Sequence, residues 1–245
     1  MKILYAVFMF LIGACMGSFF SCIGYRIPNK IGLFKPDSHC ENCNKPLKWY
    51  MNIPIISYIM LKGRCAYCKK SIDISTLLLE IFTALTFMGG YLYFGETREL
   101  IIFLLVISAL AVTAVTDFKY YYVSDRVVFI TLALELITYL SLYTFDEYKK
   151  FLLGAVVLFV VMLLVKLIGD KVFKRESLGG GDVKLMLIVG FTLGIVYGLL
   201  GLFFASLMAL AAYFILNEKY NEGMIPFGPF LLLATAQIYI VLHVI

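Results

Sequence analysis

Residues 183–216 read VKLMLIVGFTLGIVYGLLGLFFASLMALAAYFIL, 34 positions whose one charged side chain is Lys184. As a single helix rising 1.5 Å per residue, the run would extend about 51 Å, against the roughly 30 Å of hydrocarbon in a bilayer. Gly194, Gly198 and Gly201 offer a break within it, so the stretch reads as two membrane spans. Six more apolar runs accompany it: Ile3–Ile23, Leu77–Phe94, Leu100–Thr116, Val127–Phe145, Phe151–Ile168 and Ile225–Ile245. Most have the ~17–25 residues a spanning helix needs. Hydrophobic residues make up 62% of the 245 and charged ones 15%, and mean hydropathy is +0.93. That balance excludes an ordinary soluble domain. Backbone groups in lipid must be satisfied within the segment, so a chain with little polar connecting sequence forms a helix bundle. The expected fold is an all-α polytopic membrane protein with about eight transmembrane helices and a small cytosolic zinc-ribbon-like loop domain.

Charge orients the bundle. Residues 24–76 carry nine bases (Arg26, Lys30, Lys35, Lys45, Lys48, Lys62, Arg64, Lys69, Lys70) against three acids (Asp37, Glu41, Asp73). The positive-inside rule places this loop in the cytosol. Alternation of eight spans then puts 117–126, 170–184 and 217–224 inside as well, with both ends of the chain outside. The net charge of +5 is an orientation signal, and no nucleic-acid partner is expected. The first run has only Lys2 before it, and Ile12-Gly13-Ala14-Cys15 is followed by more apolar chain and a basic loop. It reads as a retained helix, not as a cleaved signal. Cys15 and Cys22 within it read as small buried hydrophobes.

The cytosolic loop contains Cys40-Glu41-Asn42-Cys43 and Cys65-Ala66-Tyr67-Cys68. Two turn-borne thiolate pairs can close a tetrahedral shell around Zn²⁺, and their separation is close to the zinc-ribbon pattern. A loop with few large apolar groups buries little core, so a metal staple makes physical sense. Disulfides or free thiols are the alternatives, and a reducing cytosol disfavours the first. Four cysteines fill the shell, which makes the expected zinc structural, with His39 a bystander.

Two acids sit where the chain can least easily keep them. Asp117 closes the run Leu100–Thr116, and Asp182 opens another in Gly179-Gly180-Gly181-Asp182-Val183-Lys184. Carboxylates at the edge of membrane-grade segments are costly and mark function by default. On the topology above both fall on the cytosolic side, which suggests one site with two acids. The three glycines allow close approach of an extended peptide and unusual φ. Lys184, two positions on, is expected to meet headgroups or substrate. Asp125, beside Arg126, is the rival to Asp117 and a candidate helix N-cap. Glu80 and Glu135 lie inside spans and are expected to find partners within the bundle. The Tyr120-Tyr121-Tyr122 run and Trp49-Tyr50 read as interfacial aromatic anchors.

Taken in order, these residues resemble the bacterial type IV prepilin peptidases, a GxGD aspartic protease family. The resemblance covers nearly the whole chain. It runs through Gly17-Ser18-Phe19 to Tyr25-Arg26-Ile27-Pro28, the paired cysteines with Lys45-Pro46-Leu47, and Asn52-Ile53-Pro54-Ile55-Ile56-Ser57-Tyr58. It continues through Gly63-Arg64-Cys65, Glu80, Thr116-Asp117, Asp125, the Gly-Gly-Gly-Asp segment and Ile225-Pro226-Phe227-Gly228-Pro229-Phe230. Ser21-Cys22 and Val123-Ser124-Asp125 depart from the family's usual Asn-Val and Leu-Pro-Asp. The resemblance implies an aspartic endopeptidase with Asp117 and Asp182 catalytic and Gly179, Gly180, Gly181 and Lys184 supporting them. It implies prepilin or pseudopilin substrates cut after a Gly between a basic leader and an apolar helix, at the cytosolic face of the bacterial inner membrane. It also implies N-methylation of the new amino terminus from S-adenosylmethionine, for which no binding residue is assigned.

Two carboxylates suffice for peptide hydrolysis. One takes a proton from water while the other donates to the carbonyl oxygen, and two like charges held close share one proton. Two other classes stay open at this point: a proton- or cation-coupled transporter using the same acids, and a zinc docking module with structural acids. The expected division is 1–24 as a first transmembrane helix, 25–76 as a cytosolic zinc-binding loop domain with four cysteine ligands, and 77–245 as a seven-helix membrane protease domain.

Overall fold

The computed structural model describes residues 1–33, 35, 37–40, 42–174, 176–216 and 225–243. The loop 217–224, Glu41 and Arg175, which entered the charge argument, lie outside the described residues. Among the described residues eight helices run α1 (Lys2–Arg26), α2 (Ile56–Met60), α3 (Ile74–Phe94), α4 (Arg98–Tyr120), α5 (Asp125–Leu142), α6 (Phe145–Phe173), α7 (Gly180–Leu216) and α8 (Phe227–Leu242). A 3₁₀ turn, Trp49–Asn52, precedes α2. Among the described residues there is no strand, only two isolated bridges. The chain is an all-α membrane protein. Five helices (α1, α3, α4, α6 and α7) are long and apolar enough to cross a bilayer, while α5 has 18 residues but carries Asp125, Arg126 and Glu135, and α8 has 16 residues.

The break expected in α7 falls at Gly194, whose φ of 72° and ψ of −169° interrupt helical geometry. An L side chain is strained there and glycine is not. Gly198 and Gly201 stay helical. Gly198 instead fits against Leu158, leaving no room for a side chain. The kink divides α7 into two segments, as its length required.

Two compact units emerge, Met1–Leu100 and Ile101–Ile245, which groups α3 with α1 and the intervening loop. In the first unit α1 and α3 pack through glycines. A Cβ at Gly13 would stand 2.5 Å from the Thr83 carbonyl oxygen, and one at Gly17 would run into Thr83 Oγ1. Small residues four apart let helix backbones approach in lipid, where apolar burial itself drives little association. Cys15 is exposed on the other side of α1 and Cys22 only half-buried, correcting their reading as buried. The alternation that fills a helix interface with Gly13 and Gly17 turns Cys15 outward. At the end of α1, buried Arg26 donates to the carbonyls of Gly32 and Leu33 (2.9 Å each).

In the second unit α7 packs against α5, α6 and α8. Gly154 on α6 meets the kink directly, for its Cβ would lie 2.5 Å from the Gly190 carbonyl oxygen and 2.7 Å from Gly194 Cα. Glu135 on α5 is fully buried, and its Oε1 accepts from Thr192 Oγ1 on α7 at 3.0 Å. The interhelical partner expected for this acid is therefore Thr192.

Candidate functional site

The acidic centre is assembled at the ends of α4, α7 and α8. Asp117 lies in the last turn of α4, three residues further inside the helix than the hydropathy boundary implied. It is 6% exposed, beside buried Thr113 and Thr116. Its Oδ2 accepts from the backbone N–H of Gly228 at 3.0 Å. Gly228 is the second residue of α8, whose N-cap is Pro226, so this N–H is one of the helix-start donors with no intrahelical partner. The carboxylate satisfies it and sits at the positive end of α8. A side chain at Gly228 would press within 3.0 Å of Thr113 Cγ2 and Leu185 Cδ1 and 3.1 Å of Asp117 Oδ2. The sequence placed Pro226-Phe227-Gly228-Pro229 in a resemblance but assigned it no role. The signal was present: a glycine at a proline-marked helix start has an N–H to give and no Cβ in the way.

Asp182 stands in the first turn of α7, half-buried, and its N–H donates to the Gly179 carbonyl at 3.2 Å. The helix begins at Gly180, so Asp182 lies within it and is not its N-cap. Leu185, three residues on from Asp182, lines the same corner at Gly228 as Asp117 Oδ2. What draws the two helix ends together is a glycine contact. A Cβ at Gly181 would lie 2.5 Å from Val123 Cβ, in the link between α4 and α5. The unusual φ expected of the glycine run is not found: none of Gly179, Gly180 and Gly181 is among the positive-φ glycines. Gly181 is a packing residue. A Cβ at Gly180 would meet nothing within 4 Å, which leaves that backbone open to a substrate chain.

Lys184 has a partner within the second unit. Its Nζ pairs with Asp125 Oδ1 at 2.6 Å, tying α7 to the start of α5. Asp125 follows the N-cap, which is Ser124 without a side-chain capping bond. The rival acid is therefore engaged elsewhere, and the base nearest Asp182 in sequence does not neutralise it. Glu80, 5% exposed on α3, accepts from the Ile55 backbone N–H at 2.7 Å. Ile55 has φ 63°, a strained setting for a β-branched residue. The carboxylate is what the strained peptide is held to.

The four cysteines meet in the first unit. The two pairs are built alike. Cys40 N–H donates to Lys45 O (3.0 Å) and accepts at its carbonyl from Asn44 (2.8 Å), while Cys65 repeats this with Lys70 (2.9 Å) and Lys69 (3.1 Å). Asn44 and Lys69 both take positive φ, 54° and 62°. Each knuckle thus turns its two sulfurs the same way. All four Sγ atoms lie within 4.8 Å of one another, and Cys40 and Cys68 Sγ are 3.8 Å apart. Tetrahedral ligands at about 2.3 Å from zinc are separated by roughly 3.8 Å, so the donor set fits that ion. None of the six cysteines is in a disulfide. Backbone N–H of Lys70, then the Asn42 amide, hold the Cys68 thiol down at about 6. Cys43, despite the Lys45 N–H that favours its thiolate, is pushed up to about 11 by desolvation and its three sulfur neighbours. Four sulfurs this close cannot all ionise alone, and a divalent cation resolves the conflict. His39 bonds the Asp37 carbonyl through Nδ1 (2.9 Å) and is the expected bystander.

Residues 11–94 match the Bacterial Peptidase A24 N-terminal domain and residues 104–215 the Type IV leader peptidase family. A protein named prepilin leader peptidase/N-methyltransferase from Myxococcus xanthus is 35% identical over 193 residues, covering 76% of this chain and 56% of that protein. Its namesake in Bacillus subtilis is 30% identical over 228 residues, 90% of this chain and 88% of that one. The Vibrio cholerae protein of the same name is 24% identical over 249 residues, 98% of each. The chain thus spans little more than half of the Myxococcus protein and nearly all of the other two. No solved structure matches. The chain belongs to the type IV leader peptidase family and is an enzyme of that peptidase class. Nothing in these matches supports a transporter.

Proposed function

We propose that the chain removes the basic leader from type IV prepilins or pseudopilins, with Asp117 and Asp182 as the catalytic pair. The observation that carries the reading is the acidic centre itself: a buried carboxylate gripped by a helix-start N–H, with a second carboxylate in the first turn of α7, the helix that packs against the same Gly228 corner. One acid in its ionised form takes a proton from water as the oxygen attacks the scissile carbonyl. The other, protonated, donates to the carbonyl oxygen. Collapse of the tetrahedral intermediate expels the amine, which leaves with a proton from the pair. Gly228 occupies Oδ2 of Asp117 and leaves Oδ1 for the reaction. The bare backbone at Gly180 gives an extended substrate room beside Asp182.

The centre faces the cytosol at the inner membrane of a bacterium, where the leader of such a substrate ends and its apolar helix begins. Residues 1–24 act as a first transmembrane helix, 25–76 as a cytosolic loop domain and 77–245 as the membrane protease domain. In the loop domain Cys40, Cys43, Cys65 and Cys68 hold structural Zn²⁺, which would supply cross-linking, not chemistry. The names of the relatives pair leader peptidase with N-methyltransferase. We extend that second activity to this chain, with S-adenosylmethionine as methyl donor and no residue assigned to it.

Purified protein in lipid nanodiscs, given a prepilin-like peptide, tests the pair. Asp117→Asn and Asp182→Asn should each lose about 10²–10⁴-fold in cleavage rate while unfolding as the wild type does. Asp125→Asn should retain most activity, because it breaks only an exposed ion pair worth about 1 kcal/mol or less. Wild-type cleavage by either of the first two variants contradicts the assignment.

A further inference from the structure

Helix α2 and the turn before it expose apolar side chains that nothing in the first unit covers. Ile56, Ile59 and Met60, at positions i, i+3 and i+4 of one helix face, are 53%, 66% and 70% exposed. The 3₁₀ turn packed beside α2 adds Trp49, 79% exposed, and Tyr50. Adjoining Met60 is an open cavity of about 460 Å³ whose lining includes three cations, Lys62, Arg64 and Lys69, and no acid. Among the described residues none of the three has a carboxylate partner. An apolar face with tryptophan and tyrosine, bordered by unpaired bases, is the composition of a surface that rests on a bilayer. The segment is also tethered at both ends to membrane helices, α1 and α3.

We propose that this face is a membrane-docking surface for anionic phospholipid. Trp49, Ile56, Ile59 and Met60 enter the headgroup–acyl boundary, and Lys62, Arg64 and Lys69 take a lipid phosphate in the adjoining cavity. Each base near an anionic leaflet strengthens the attachment roughly fivefold. The apolar contact alone would accept any lipid, so the cation-lined cavity sets the choice of an anionic one. Docking fixes the height of the cysteine-bearing loop against the bilayer, whatever chemistry the acids perform.

Trp49 is the sole tryptophan of the chain, so intrinsic fluorescence reports this face alone. The full-length protein is placed in nanodiscs of zwitterionic lipid, with or without phosphatidylglycerol, with a share of the lipid brominated near the glycerol end of its chains. Docking predicts blue-shifted emission and roughly twofold quenching by brominated lipid, stronger with phosphatidylglycerol. Lys62→Glu/Arg64→Glu/Lys69→Glu should remove the phosphatidylglycerol dependence. Emission quenched by aqueous acrylamide and not by brominated lipid overturns the proposal, because the face is then in water. Emission shielded from both quenchers overturns it too, because the face is then covered by protein. Lipid quenching indifferent to phosphatidylglycerol in the wild type overturns the anionic recognition without any variant.

Discussion

A methyl group added at Gly181 would stand 2.5 Å from Val123 Cβ, whereas one added at the neighbouring Gly180 meets nothing within 4 Å. Gly181→Ala should therefore destabilise the protein by about 1–3 kcal/mol and separate the two acids. Gly180→Ala should unfold at or above the wild-type temperature, and any loss of activity there would reflect hindered substrate. Trimming Val123 to alanine in the Gly181→Ala background should recover activity, which thermal unfolding and peptide cleavage together would show. A second residue-scale prediction concerns Ser124, which stands where the resemblance leads one to expect proline. Its hydroxyl is buried with no hydrogen-bond partner among the described residues and its φ is −79°, close to the angle proline imposes. Ser124→Pro should stabilise by about 0.4–1 kcal/mol, measured by chemical denaturation. At this scale the sequence announced the two acids through the cost of keeping them near lipid. It marked Gly228 only as a glycine at a proline-flanked helix start, and which acid its N–H meets follows from where α8 docks. The Lys184–Asp125 pair, 59 positions apart, follows only from how α5 meets α7.

Among the elements, apolar length marked the membrane helices but not the short α2. Most ends moved outward where polar residues extend a turn beyond the hydropathy boundary, whereas α5 stops at Leu142, short of Phe145, and α8 starts at Phe227, past Ile225. Asp117, Phe118, Lys119 and Tyr120 all belong to α4, since a helix entering the interface keeps its hydrogen bonds whether or not its side chains are apolar. The excess length of α7 required a break, but three glycines competed for it. Gly194 wins because Gly154 faces it with backbone alone, a fact of packing that no reading of α7 by itself contains. Gly194→Ala should cost about 1–3 kcal/mol through its positive φ, and a bulkier Gly154→Leu should be worse, for it displaces the kink. Both are checked by thermal unfolding in nanodiscs. The α1–α3 contact is legible in Gly13-x-x-x-Gly17, a spacing to which hydropathy alone is blind.

For the molecule as a whole, the proposed zinc at the four cysteines should hold the loop of the first unit together. Between Ile27 and Asp73, Cys65 is the one buried residue among those described, so apolar burial cannot hold the loop. Elemental analysis should find one zinc per chain, and Cys65→Ser should lose it together with the protease resistance of the loop; metal-free protein with an intact loop would refute this. In the second unit the account stands on two acids acting as one group. The most direct measurement compares Asp117→Asn, Asp182→Asn and the double variant in cleavage of one prepilin-like peptide. If the pair is a unit, all three fall to the same residual rate, because removing either acid already removes the reaction path. Losses that multiply from the single variants to the double, or a single variant that still cleaves near the wild-type rate, would show that these carboxylates do not share the chemistry.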